Sequence, residues 1–583
     1  MPDTPTPPPA GSPPPAADPA PAGSPAPAGD PAPAGDPAPA GDPAPAGDPA
    51  PAGNPAPAGN PAPAGDPPPA LRRAALGTAD ISFFVVSAAA PLTVMAGVAP
   101  VAILLGGIGA PAGYLLAGLT LAVFAVGFTT MSRHVRSGGA FYAYIARGLG
   151  KHAGLGAALL ALVGYNGMEI GVYGLLGTTT ADTAHALWGL DVPWLPVSLA
   201  GLLLVWYGGF RSIDFGAKLL GVLLVAETGI LALLAAGVLA EGGAHGLSAA
   251  GFAPGAVLVP GTAAVLAFAF AAFTGFESTV IYRREARDPD RTIPRATYIA
   301  VAFLGLFYAF IVWTVIQAFG AEEVMAAAAA DPGGLFFAAI TTYVGPWAAD
   351  LMHLFIVTSV IASLLAFHNA INRYVLALSE EGVLPAALGR IHPRHRSPYL
   401  AGLAQTVLGA VIVLGFALAG ADPYQQLLLW VNTPGMIGLM ALMLLAAVAV
   451  PVYFRRTAHT EGPWRTVVAP VTAAVLLAAA ILLVIAKVGL FTMASTTVNT
   501  LLVSLVPAVF LAGLVLARRL RIRRPEVYAR FAEEPAAEDP AAQDPAAQDP
   551  GPVGEEPPCP LPTPSSPEPA SAPSTRPVPK PAR

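Results

Sequence analysis

Three acidic residues fall inside stretches that are otherwise apolar: Glu169, Glu227 and Glu277. An ionisable group at bilayer depth is costly, and it marks a functional site by default. Desolvation raises a carboxylate's pKa toward neutrality, so such a group can load a proton on one side and release it on the other. Glu169 and Glu227 are the candidates for that role, with a packing network as the alternative. Two apolar stretches also carry helix breakers. One is the run Ser87, Ala88, Ala89, Ala90, Pro91, Leu92, Thr93; the other is Phe273, Thr274, Gly275, Phe276, Glu277. Proline removes a backbone donor and clashes with the preceding turn, and glycine weakens a helix interior. Backbone groups freed at membrane depth are tolerated where they line a cavity. Half-helix N-termini suit a carboxylate and unwound carbonyls suit an ammonium. These twelve residues are therefore the candidate binding site for a small zwitterion or amine. Glu277 has a second reading, as an acid that complements the dipole of the half-helix it begins.

The elements that must hold these groups are membrane helices. The chain has 583 residues, 54% hydrophobic and 11% charged, with mean hydropathy +0.60. That composition excludes an ordinary soluble enzyme and fits a polytopic membrane protein. Apolar stretches near spanning length fall at 81–104, 113–131, 154–177, 193–209, 216–240, 261–283, 297–319, 349–377, 399–420, 426–453, 466–487 and 497–517, twelve in all. With both termini on one side, every Lys and Arg except Arg373 and Lys487 falls on that side. The positive-inside rule makes it the cytoplasm, with the plasma membrane as the location. Alanine, glycine, proline and arginine usage suggests a GC-rich bacterial genome.

The ends are different material. Residues 19–66 are eight six-residue units of Pro-Ala-Pro-Ala-Gly-Asp type, and 535–583 are again rich in proline and alanine. Segments 1–74 and 532–583 are expected to be disordered tails flanking one domain at 75–531. No signal peptide pattern opens the chain. Cys559 is the single cysteine, so an intramolecular disulfide is excluded. The net charge of −6 reflects the acidic tails and points to no nucleic acid partner.

The loop after the second break reads Tyr282-Arg283-Arg284-Glu285-Ala286-Arg287-Asp288-Pro289-Asp290-Arg291-Thr292-Ile293-Pro294-Arg295. Together with Phe273 to Glu277, it resembles the helix-six signature of the amino acid–polyamine–organocation permeases. Ser137-Gly138-Gly139-Ala140-Phe141-Tyr142 is similar to the family's Gly-Gly-x-x-Tyr loop. Asn369, Asn372, Arg373 and Glu381-Gly382-Val383-Leu384-Pro385 resemble the end of its helix eight, and Arg524-Pro525-Glu526-Val527-Tyr528 its closing segment. Ala88 to Pro91 replace the family's glycine-rich first break. Where some proton-coupled members carry a helix-five lysine, this chain has Glu227, with Lys218 nearer the cytoplasmic end.

The resemblance implies an all-α membrane protein with twelve transmembrane helices. Two inverted five-helix repeats, as in LeuT-like transporters, would be followed by two C-terminal helices. It also implies a permease that moves an amino acid or related amine by alternating access, with protons as the expected coupling ion and no cofactor. Rival readings are a polyamine or ethanolamine-type cation exchanger, for which Glu169 would supply the acidic pocket, a membrane enzyme on lipid-linked substrates, and a transporter-like nutrient sensor. Phe268, Phe270 and Phe273 read as apolar filler, Phe273 alternatively as a gate. Tyr165, Ser363 and Asn432 read as interhelical polar contacts. His353 and His368 look isolated, no spacing suggests a metal site, and neither a phosphate loop nor a catalytic triad is present.

Overall fold

The computed structural model describes residues 74–137, 139–211 and 213–533. Among these the chain is helical, with no strand and a single parallel bridge between Leu76 and Ala286. Eleven helices are long and apolar enough to cross a membrane, and the expected fourth span is a shorter helix, Trp194–Phe210, of 17 residues. The long helices overlap the apolar stretches, because a run without charges has no alternative way to satisfy its backbone in lipid. Several run past them: Lys151–Trp188 ends 11 residues beyond 177, and Pro289–Phe319 starts 8 residues before 297.

Two of these spans are broken. Thr78–Ala89 ends at Ala90, which takes a left-handed conformation (φ 45°, ψ 73°), and Pro91–Gly97 restarts the helix on a proline. Proline suits the first helical position because its missing N–H would be unpaired there anyway. The sixth span runs as Thr262–Ala272, turns at Gly275 (φ +116°) and continues as a tight 3-10 helix, Phe276–Glu285. The tenth opens with a π-helical segment, Pro423–Trp430, whose first turn is capped by Asp422 accepting from the Tyr424 and Gln425 N–H groups at 2.9 and 2.6 Å. Such π segments cluster at functional sites.

Burial separates centre from rim. In the sixth span 89% of the most apolar window is buried, against 11% in Thr496–Arg523, so the broken span is central and the last helix presents itself outward. Small residues let the backbones close up: a Cβ on Gly513 would lie 2.5 Å from Gly156 Cα, and one on Gly435 would lie 2.8 Å from the Gly164 carbonyl oxygen. This is the usual solution where lipid gives helices no hydrophobic reason to associate.

The expected tails, including Cys559, lie outside the described residues apart from Ala74, Ala532 and Glu533. The folded part reaches slightly past the expected boundary at 531. Phe531 and Ala532 are 0% and 1% exposed, and Phe531 stacks on Tyr142 with ring centroids 5.4 Å apart.

Candidate functional site

The two breaks touch, and a cavity of about 110 Å³ opens beside them. The walls include Ala88, Ala89, Ala90, Thr93 and Thr274 from the breaks, with Ser363 and Asn432 from the eighth and tenth spans. The rest is apolar: Phe268, Phe367, Phe491, Met168, Met436 and Leu428 are representative. Among the described residues no charged side chain lines it. The volume lies below the range typical of drug-sized ligands, so the space suits a small solute.

Of the twelve residues expected at the site, Ser87, Pro91, Leu92, Phe273, Gly275, Phe276 and Glu277 are not in the cavity wall. Their positions have physical reasons. Gly275 faces helix one: a Cβ there would lie 2.8 Å from Ala88 Cβ, so its close approach is to the other break. The Phe273 ring packs against Tyr308 with centroids 6.0 Å apart, in a space left by Gly118 and Gly305 and outside the cavity wall. Phe276 packs edge-on against Phe124. Glu277 caps its own half-helix, accepting from the Gly275 N–H and the Tyr165 hydroxyl, both at 2.9 Å.

The N–H groups that start the second half of helix one are not free either. Glu227 Oε2 accepts from Leu92 N–H at 3.3 Å and from the Ser359 hydroxyl, while Thr93 N–H donates to Ser359 Oγ at 3.4 Å. Glu227 is thereby tied to the start of the half-helix whose other side forms the cavity wall. Its Oε1 has no protein partner. The carbonyls of Ala88 and Ala89 accept from Ser363 Oγ at 2.8 Å and Tyr308 Oη at 3.1 Å.

Glu169 points away from the cavity, although its neighbour Met168 and Val172 line it. His368 is not isolated, as the sequence suggested. Its Nδ1 lies 3.3 Å from Glu169 Oε1, an ion-pair distance without hydrogen-bond geometry, and that oxygen accepts from the Tyr173 hydroxyl at 3.2 Å. Gly209 and Gly402 make room for the ring: Cβ atoms there would come within 2.4 and 3.1 Å of it. Glu169 Oε2 and both His368 ring nitrogens have no hydrogen-bond partner. No signal in the sequence joins residues so far apart.

The two ends of the cavity differ. Toward the arginine-rich loops it is sealed by a buried pair, Arg373 and Glu285, with Nε–Oε2 at 2.5 Å and Nη2–Oε1 at 3.0 Å. Leu76 and Glu285–Arg287 exchange two backbone bonds of 2.9 Å there, strapping the chain before helix one to the loop after helix six. Toward the opposite end, Tyr424 lies between the cavity and a larger vestibule of about 740 Å³ that contains Asp182, Asp331 and His353. The Tyr424 hydroxyl donates to the Gly97 carbonyl at 3.1 Å.

Comparison with known proteins agrees with this architecture. An uncharacterised transporter of Mycobacterium tuberculosis is 32% identical over 143 residues, which is 24% of this chain and 31% of that protein. A branched-chain amino acid permease of Bacillus subtilis is 22% identical over 169 residues (26% and 33%), and an L-methionine/branched-chain amino acid exporter of Escherichia coli 30% over 167 (27% and 38%). The chain spans between 31% and 66% of the length of the curated relatives it matches. The profile of the amino acid permease family matches residues 80–527, a stretch that contains both breaks, the cavity and the sealed end. The chain belongs to the amino acid permease family, within the amino acid–polyamine–organocation superfamily.

Proposed function

We propose that the protein carries a neutral amino acid with an aliphatic side chain across the plasma membrane by alternating access, as a proton symporter. One observation carries the substrate class: the cavity at the joined breaks is lined by uncharged polar groups and apolar side chains, with no charged one among the described residues. The Thr274 hydroxyl and the Asn432 amide, whose Oδ1 has no protein partner, meet the amino acid's own charges, and the aromatic and methionine wall takes its side chain. A polyamine would need an acidic wall, and Glu169 faces His368 instead. The names of the Bacillus subtilis and Escherichia coli relatives point to the same aliphatic substrates. Proteoliposomes with the full chain should accumulate leucine, valine or methionine when the pH gradient is imposed, and should ignore putrescine and arginine. Accumulation of the cations without the aliphatic amino acids overturns this reading. Saturable binding without flux favours a sensor.

Twelve crossings, the first ten in two inverted repeats, then place both termini and the loop at 284–295 in the cytoplasm, with residues 320–345 outside. Single cysteines at Arg291 and Glu322, in a background lacking Cys559, test this with a membrane-impermeant thiol reagent on intact cells. Glu322→Cys should label and Arg291→Cys should not. The reverse pattern inverts the topology.

Proton coupling falls to Glu227 or Glu169, each buried with one unpartnered oxygen. Neutralising Glu227 changes the bond to Leu92 N–H at the cavity's own half-helix; neutralising Glu169 changes its pairing with His368. Glutamine keeps the shape of either side chain and removes its titration. In Glu227→Gln or Glu169→Gln, accumulation driven by the pH gradient should vanish while substrate counterflow, which moves no net proton, persists. If both variants accumulate substrate as the parent does, these acids are structural.

A further inference from the structure

We propose that Phe491 sets the largest side chain the substrate can carry, which makes the short helix Val488–Thr492, between the last two long helices, part of the selectivity apparatus. The inference rests on the amino acid reading above. Phe491 is 8% exposed and stands in the cavity wall, its ring 5.2 Å from that of Phe268. Phe268 belongs to the first half of the broken sixth span, so this ring pair joins the break to the terminal helices.

The segment is held firmly enough to act as a fixed wall. The Thr492 hydroxyl donates to Asn499 Oδ1 at 2.5 Å, and the Thr492 carbonyl accepts from Trp430 Nε1 at 3.3 Å. Trp430 closes the π-helical segment that also supplies Tyr424, Leu428 and Leu429 to the cavity. Two residues beyond Phe491, Met493 turns left-handed (φ 51°) and lines the vestibule. Phe491 therefore stands at the neck where the solute passes from the vestibule to the cavity.

Polar groups at Thr274, Ser363 and Asn432 fix the amino acid's head, and the aromatic wall is left for its tail. In a hydrophobic pocket one methylene is worth about 10–200-fold in discrimination, so removing a ring should redraw the substrate ranking. Uptake kinetics in proteoliposomes, with alanine, leucine, methionine, phenylalanine and tryptophan, read it. Phe491→Ala should raise kcat/KM for phenylalanine relative to leucine by about tenfold or more. Phe491→Trp should depress leucine and methionine while sparing alanine. Phe491→Leu is the milder variant that reads the same shift should the alanine protein fail to insert. A parent protein that carries none of these amino acids defeats the underlying reading. A parent that carries them, with an unchanged ranking in the inserted variants, defeats the role of Phe491 alone.

Discussion

Gly275→Leu should abolish substrate binding while the protein still inserts in the membrane. Gly275 sits at φ +116°, a backbone conformation in which a side chain costs about 1–3 kcal/mol. The added Cβ would also lie 2.8 Å from Ala88 Cβ, where overpacking costs a further 1–3 kcal/mol or so. The strain is relieved by moving one break away from the other, and Ala88 to Ala90 with Thr274 form the cavity wall. A displacement of that kind removes binding by about 100-fold or more, the equivalent of some 3 kcal/mol. Insertion should survive, because it depends on the apolar length of the spans. Equilibrium binding to purified protein, beside surface abundance in cells, checks both halves. Gly275→Ala should fall between parent and Leu. Unchanged binding in the Leu variant would place the substrate elsewhere.

Arg373→Ala should have the largest effect on stability. It leaves Glu285, 1% exposed, as an uncompensated buried charge, and losing one partner of such a pair costs about 3–5 kcal/mol. Arg373 also donates to the Asn369 carbonyl at 2.8 Å and lies 5.0 Å from the Tyr282 ring centroid, so its removal loosens the sealed end as a whole. Replacing both partners with leucine should recover most of that stability, since an apolar pair of similar volume avoids the desolvation cost. It should not restore transport, because the proposed alternating access needs a seal that can open, and a charge pair can rehydrate while a leucine pair cannot. Thermal unfolding in detergent and uptake in vesicles separate the two effects. A single variant that unfolds like the parent would show that the pair is no lock.

Much of the architecture is local in origin and can be read without coordinates. The spans follow from runs of apolar residues too long to be anything else in lipid, and the breaks follow from Pro91 and Gly275, whose effects act on their own turns. The reading of Glu277 as a helix-start acid is also local, since its partner Gly275 is two residues away. The weakest span was visible as well: Trp194–Phe210 is short in the sequence and remains short in the fold.

The site itself depends on rotation and partnership. Met168, Glu169 and Val172 share one helix, and successive residues are about 100° apart around its axis. Packing alone decides that Met168 and Val172 turn to the cavity and Glu169 to His368. Glu227 meets Leu92, and Phe491 meets Phe268, across separations that leave no mark in either segment. The sequence by itself determined the membrane class, the placement of the helices and the two breaks, because hydropathy and backbone chemistry act over a few residues. The tertiary structure decided which groups face the cavity, because facing is a property of pairs brought together by the packed bundle.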